Sequence, residues 1–124
     1  MESIPKLPES ELEIMSIIWK NPKNVICDHV IADLNNDKNW SKTTVLSFLS
    51  RLVDRGFLAV TKEGRINHYS PIIKEEDYLE KEGKSFINKM YHDSVTDFVA
   101  TLYNSNNISQ DDLHNLKKLI KKME

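Results

Sequence analysis

Residues 41–72, SKTTVLSFLSRLVDRGFLAVTKEGRINHYSPI, change their apolar pattern midway, and that change restricts the fold more than any other feature. In the first half, Val45, Phe48, Leu49, Leu52 and Val53 fall on one face of a helix turning about 100° per residue. Ser41 reads as its N-cap and Gly56 as its stop. Thr43, Ser47, Ser50 and Asp54 lie opposite the apolar face, with Thr44, Leu46 and Arg51 on the flanks. In the second half, Phe57–Thr61 favours a strand and KEGR favours a turn near Gly64. INHYSPI then gives a return strand closed by Pro71.

Two shorter helices are expected upstream. The first runs from about Pro8 to Lys20, with Pro8 at an early position, Glu9 and Glu11 near the positive end, and Leu12, Met15, Ile18 and Trp19 on one face. KNPKN breaks it. The second follows Asn24 as cap, turns Ile26, Val30, Ile31 and Leu34 inward, and ends at NNDKN. Helix, helix, helix, hairpin is the winged helix-turn-helix order. Everything from Lys74 onward is helical in pattern: KEEDYLEKEGKSFINKMYHD interrupted by Gly83, then SVTDFVATLY, then SQDDLHNLKKLIKKME with Ser109 and Asp112 at capping-box spacing. The fold class is therefore mainly α with a small β-hairpin. A winged helix-turn-helix DNA-binding domain is expected over 1–73 and a C-terminal helical dimerisation domain over 74–124.

Three short helices in about fifty residues bury little surface alone. A homodimer is the simplest way to cover Phe86, Met90, Tyr91, Phe98, Leu102, Leu113, Leu116 and Ile120, and a two-fold protein matches a palindromic site.

Charge is informative by its distribution. The whole chain of 124 residues carries −2. Residues 1–37 carry three basic against seven acidic groups, and residues 73–124 carry eight against ten. Residues 38–72 carry six against two, a local +4, and local charge governs attraction to phosphate. Cys27 is the only cysteine, which excludes an internal disulfide framework or a four-cysteine metal site. It reads as a small buried helix residue, with a redox sensor as the sharper alternative. His29, His68, His92 and His114 stand in different elements without ligand spacing, and three glycines supply no phosphate-binding loop. No metal, cofactor or enzymatic activity is expected. No secretion signal or membrane-length apolar run is present in the sequence, so the cytoplasm is the expected compartment.

A helix entering a major groove needs short polar side chains near its start. Ser41, Lys42, Thr43, Thr44 and Ser47 fit contacts to base edges and phosphates. Leu46 either touches a thymine methyl or packs on the neighbouring helix. Arg51 and Arg55 come late and suit phosphate or an acidic neighbour. Lys62 and Arg65 flank the hairpin turn, where a cationic wing tip adds sequence-independent affinity; an ordinary solvated turn is the plainer reading. Double-stranded DNA is the expected partner, against a rival reading as a winged-helix protein-interaction module.

The segments LPESELEIMSIIW, NWSKTTV, RLVDRGFL, YSPI and FINKMY together resemble the penicillinase-repressor family, in order and from about Leu7 to Ile120. The resemblance implies a dimeric repressor of β-lactam resistance genes that binds palindromic operators. It also implies induction through cleavage by a membrane-bound sensor metalloprotease. The family often has Pro and Lys after the capping Ser and an Arg further on, where this chain has Lys42, Thr43 and Leu46; Thr44 and Arg51 match. The Asn-Phe bond cut in antibiotic-responsive members corresponds to Thr101–Leu102, and the copper-responsive branch's C-terminal cysteines have no counterpart. A family repressor answering a different signal is thus a second reading.

Overall fold

Helix α1 (Glu9–Lys20), α2 (Cys27–Asp33) and α3 (Lys42–Asp54) precede an antiparallel hairpin of β1 (Leu58–Glu63) and β2 (Ile66–Pro71). Helices α4 (Glu75–Tyr91), α5 (Val95–Asn104) and α6 (Gln110–Met123) follow. This computed structural model describes residues 4–21, 23–34 and 38–124. Part of the NNDKN and KNPKN breaks, residues 35–37 and Pro22, lies outside that set. The fold class is as expected, mainly helical with one two-stranded hairpin.

Contacts divide the chain into two compact units, Met1–Glu82 and Gly83–Glu124. The division falls inside α4, later than the 73/74 junction read from the sequence. Tyr78 explains why the first turn of α4 belongs with the first unit. Its ring is buried and lies 5.8 Å from both Trp19 and Phe57, and its hydroxyl accepts from the Leu7 N–H at 2.9 Å. Trp19 Nε1 donates to the Ile73 carbonyl at 2.9 Å beside it, and Lys81 Nζ bonds the Ile4 carbonyl.

The core of the first unit gathers Ile14, Met15 and Ile18 of α1, Val30 of α2, and Val45, Leu49 and Leu52 of α3, with Phe57 and Leu58 from the start of the hairpin. Each such side chain contributes about 1.5–3 kcal/mol on burial. On α1 the buried stripe sits one step from the expected one. Ile14 and Glu11 are fully covered, while Leu12 and Trp19 are only half-buried.

Helix α2 begins later than Asn24 would place it. Val25 is drawn into a β-bridge with Tyr69: its N–H donates to the Tyr69 carbonyl at 2.8 Å, and the Tyr69 N–H returns to Val25 at 2.7 Å. A residue so paired is extended, so the helix starts at Cys27 with Ile26 at the cap position and no side-chain cap bond. The inward residues are Cys27 and Val30, and Ile26, Ile31 and Leu34 are half-buried.

Two devices fix the hairpin. Gly56 (φ +83°) ends α3 in a conformation costly for side-chain-bearing residues, and Phe57 N–H bonds back to the Leu52 carbonyl. Glu63 pairs with Ile66, leaving Gly64 and Arg65 as a two-residue loop, and Gly64 (φ +65°) supplies the positive φ that such tight hairpin turns require.

In the second unit, α4 runs through Gly83 unbroken. Phe86, Tyr91 and Phe98 form an aromatic cluster with centroids 5.2–5.9 Å apart. The Ser109–Asp112 capping box is formed, with both bonds at 3.0 Å. No residue of α5 or α6 is buried within the single chain.

Candidate nucleic-acid interface

The N-terminus of α3 is the best-defined part of the site. Ser41 Oγ accepts from the Thr44 N–H at 3.2 Å and lies 3.0 Å from Thr44 Oγ1. Such a cap contributes about 1 kcal/mol and fixes where the helix begins. Trp40, just before it, meets Phe48 edge-on at 5.2 Å. With Val45, Leu49 and Leu52 buried, Thr43 and Ser47 lie opposite; Lys42, Thr43, Leu46, Ser47 and Arg51 are exposed and Thr44 is half-exposed.

Leu46 is 38% exposed, so it is partly covered and partly open to solvent. It lines a shallow groove with Ile26, Asp28, Lys42, Arg65 and Ile66 among others, bounded by the start of α2, α3 and the hairpin. Lys42, Leu46 and Arg65, separated by up to 23 residues from Lys42 to Arg65 in the sequence, therefore face one groove. Lys62 lies on exposed β1 opposite Asn67, outside the groove lining. Arg51 also lies outside it, its guanidinium 5.7 Å from the Phe48 ring.

Two cations have acidic partners. Of the two partners its position suits, Arg55 takes the acidic neighbour and not phosphate: its Nη1 bonds Glu11 Oε1 at 2.8 Å, and Glu11 is 1% exposed. Lys42 Nζ lies 3.1 Å from Asp28 Oδ1. The hydrogen bond and charge of Asp28 push the Lys42 ammonium above its ordinary range. Asp28, Asn67 and Ile66 are groove residues that sequence reading missed.

Cys27 is buried at the groove's inner edge, and burial pushes its thiol above the ordinary range. That fits the packing role. Among the described residues, no group of three or more His, Cys, Asp or Glu is arranged to hold a metal. No helix among them is long and apolar enough to cross a membrane.

In the second unit, Phe98, Leu102 and Leu116 line an apolar groove of about 410 Å³ with Val99, Ile108 and Leu119. Leu113 is half-buried. Met90 and Ile120 project outward, 65% and 54% exposed. Thr101 and Leu102 lie in the body of α5, with Thr101 Oγ1 donating to the Asp97 carbonyl at 2.9 Å.

The family model described as "Penicillinase repressor" matches residues 7–122. The "Penicillinase repressor" of Bacillus licheniformis is 32% identical over 120 residues, which are 97% of this chain and 93% of that one. The solution structure of the DNA-binding domain of the repressor BlaI is similar at 40% identity and a TM-score of 0.53. It covers 63% of this chain and 94% of its own. The monomeric form of Bacillus licheniformis BlaI in complex with the blaP half-operator matches over the same shares, at 40% identity and a TM-score of 0.51.

Proposed function

This chain belongs to the penicillinase-repressor family, and from that premise we propose that it is a DNA-binding repressor acting as a homodimer on palindromic operators. The family is one of repressors and not an enzyme class. The observation that carries the reading is the match between this chain's helices and hairpin and a repressor domain solved bound to its half-operator.

Residues 1–73 serve DNA and residues 74–124 serve dimerisation, with Tyr78 lending the start of α4 to the first core. Ser41 caps the recognition helix. Thr43, Thr44, Leu46 and Ser47 meet base edges, and Lys42, Arg51, Lys62 and Arg65 meet phosphates. The exposure of Lys42, Thr43, Leu46, Ser47, Arg51, Lys62 and Arg65, with Lys42, Leu46 and Arg65 on one groove, supports this assignment. Leu46, where an Arg is usual, replaces a bidentate polar contact with an apolar one, so the preferred operator differs from that of relatives.

Dimerisation through Phe86, Met90, Tyr91, Phe98, Leu102, Leu113, Leu116 and Ile120 is supported by α5 and α6 burying no residue within one chain. DNA as the partner makes the cytoplasm the site of action. The first reading of its induction is cleavage by a membrane sensor metalloprotease at Thr101–Leu102, the bond that stands where the family's Asn-Phe does. A repressor answering a different signal is the second reading, favoured by the absence of Asn-Phe at this bond.

The test is binding to a panel of duplexes selected from random sequence. Leu46→Ala and Thr44→Ala should change the order of preference, by about 1–3 kcal/mol at the base concerned. Arg65→Ala should weaken all duplexes alike. Equal loss on every duplex from Leu46→Ala and Thr44→Ala would refute base reading by α3.

A further inference from the structure

We propose that Asp28 governs how much of the Lys42 charge reaches DNA: it holds the ammonium in the free protein and yields it to a phosphate oxygen on binding. This rests on the DNA-binding reading above. The pair joins the start of α2 to the first residue of α3 at 3.1 Å, and both side chains remain mostly solvated, 67% and 60% exposed. Neither is needed to fill the core. Both line the groove that also receives Leu46 and Arg65. A carboxylate therefore stands in the surface that the local positive charge would otherwise make attractive to a phosphate strand.

The exchange conserves charge and protons. Lys42 keeps its proton throughout, because Asp28 and then phosphate both favour the cation. Asp28 is left hydrated in the groove. Solvated ion pairs of this kind are weak, so the exchange is easy and its effect on affinity modest. Its signature is electrostatic: it acts on every sequence alike and depends on salt. Lys42 opens α3, so its readiness for phosphate also sets how firmly the helix N-terminus is seated.

The experiment measures affinity of the full chain for the duplex upstream of its own gene and for an unrelated duplex, across salt concentrations. Asp28→Asn should tighten both about two- to fivefold at low salt. It should also steepen the slope of log affinity against log salt by up to about 0.9, one phosphate contact. Asp28→Ser, compatible with a helix start, should do the same and stands in if the Asn variant folds poorly. In a Lys42→Gln background the gain should shrink towards one, because there is no ammonium to release. An unchanged gain in that background would show that Asp28 acts only by repelling phosphate, and would overturn the proposal. So would no gain in the Lys42 protein. If the unaltered chain shows no salt-dependent binding to either duplex, the DNA-binding reading falls as well, so the two failures are distinguishable.

Discussion

Glu11 is a carboxylate placed where water cannot reach it, and its tolerance depends on one guanidinium 44 residues away. The ion pair ties the end of α3 to α1, so it holds α3 at its far end while Ser41 defines its near end. Removing Arg55 leaves a buried charge without a partner. Because Arg55 is itself 40% exposed, water partly substitutes for it. Arg55→Ala should therefore cost about 1–3 kcal/mol, below the loss for a fully enclosed pair. A lower denaturant midpoint at unchanged slope checks this. Since Arg55 is already engaged, the salt slope of DNA binding should not change in the same variant. A reduced slope would mean that it reaches phosphate after all. This pairing was not legible in the sequence: Glu11 looked like a helix-start acid and Arg55 like a late-helix cation. The Asp28–Lys42 pair is hidden for the same reason, because partners on different elements are identified only once the fold is known.

Elements were legible wherever a local signal decided them. Ser41, the apolar spacing of α3, Gly56 and the KEGR turn locate a helix and a hairpin without any long-range contact. Helix α2 shows the limit. Asn24 is a good cap, yet Val25 gains two backbone hydrogen bonds from Tyr69, and the helix begins after it. Tyr78 falls by position in the C-terminal helical segment, while its hydroxyl and ring complete the first unit's core. At this scale α5 also bears on regulation. Proteases act most readily on exposed loops, whereas Thr101–Leu102 lies within a helix. Cutting there requires α5 to open locally. Cells exposed to a β-lactam should then yield a fragment ending at Thr101, detected by intact-mass analysis. Finding only full-length chain, while a T101N/L102F double variant is cut, would mean that this repressor answers another signal.

For the molecule as a whole, the two units differ in how self-sufficient they are. The first has a continuous core drawn from α1, α2, α3, the hairpin and Tyr78. The second leaves an apolar groove and exposed Met90, Leu119 and Ile120. That contrast is the physical basis for assigning DNA to one and self-association to the other. The net charge of −2 belongs to the whole chain, whereas α3 and the hairpin carry Lys42, Arg51, Lys62 and Arg65 against Asp54 and Glu63, a local +2. The most direct test combines both assignments. The full chain is titrated onto the duplex upstream of its own gene at several salt concentrations, with the mass of the complex read by sedimentation. The account predicts two chains per operator and log affinity falling linearly with log salt, by about 0.9 per phosphate contact. A single chain per duplex would contradict the dimer, and binding that is absent or indifferent to salt would contradict the repressor itself.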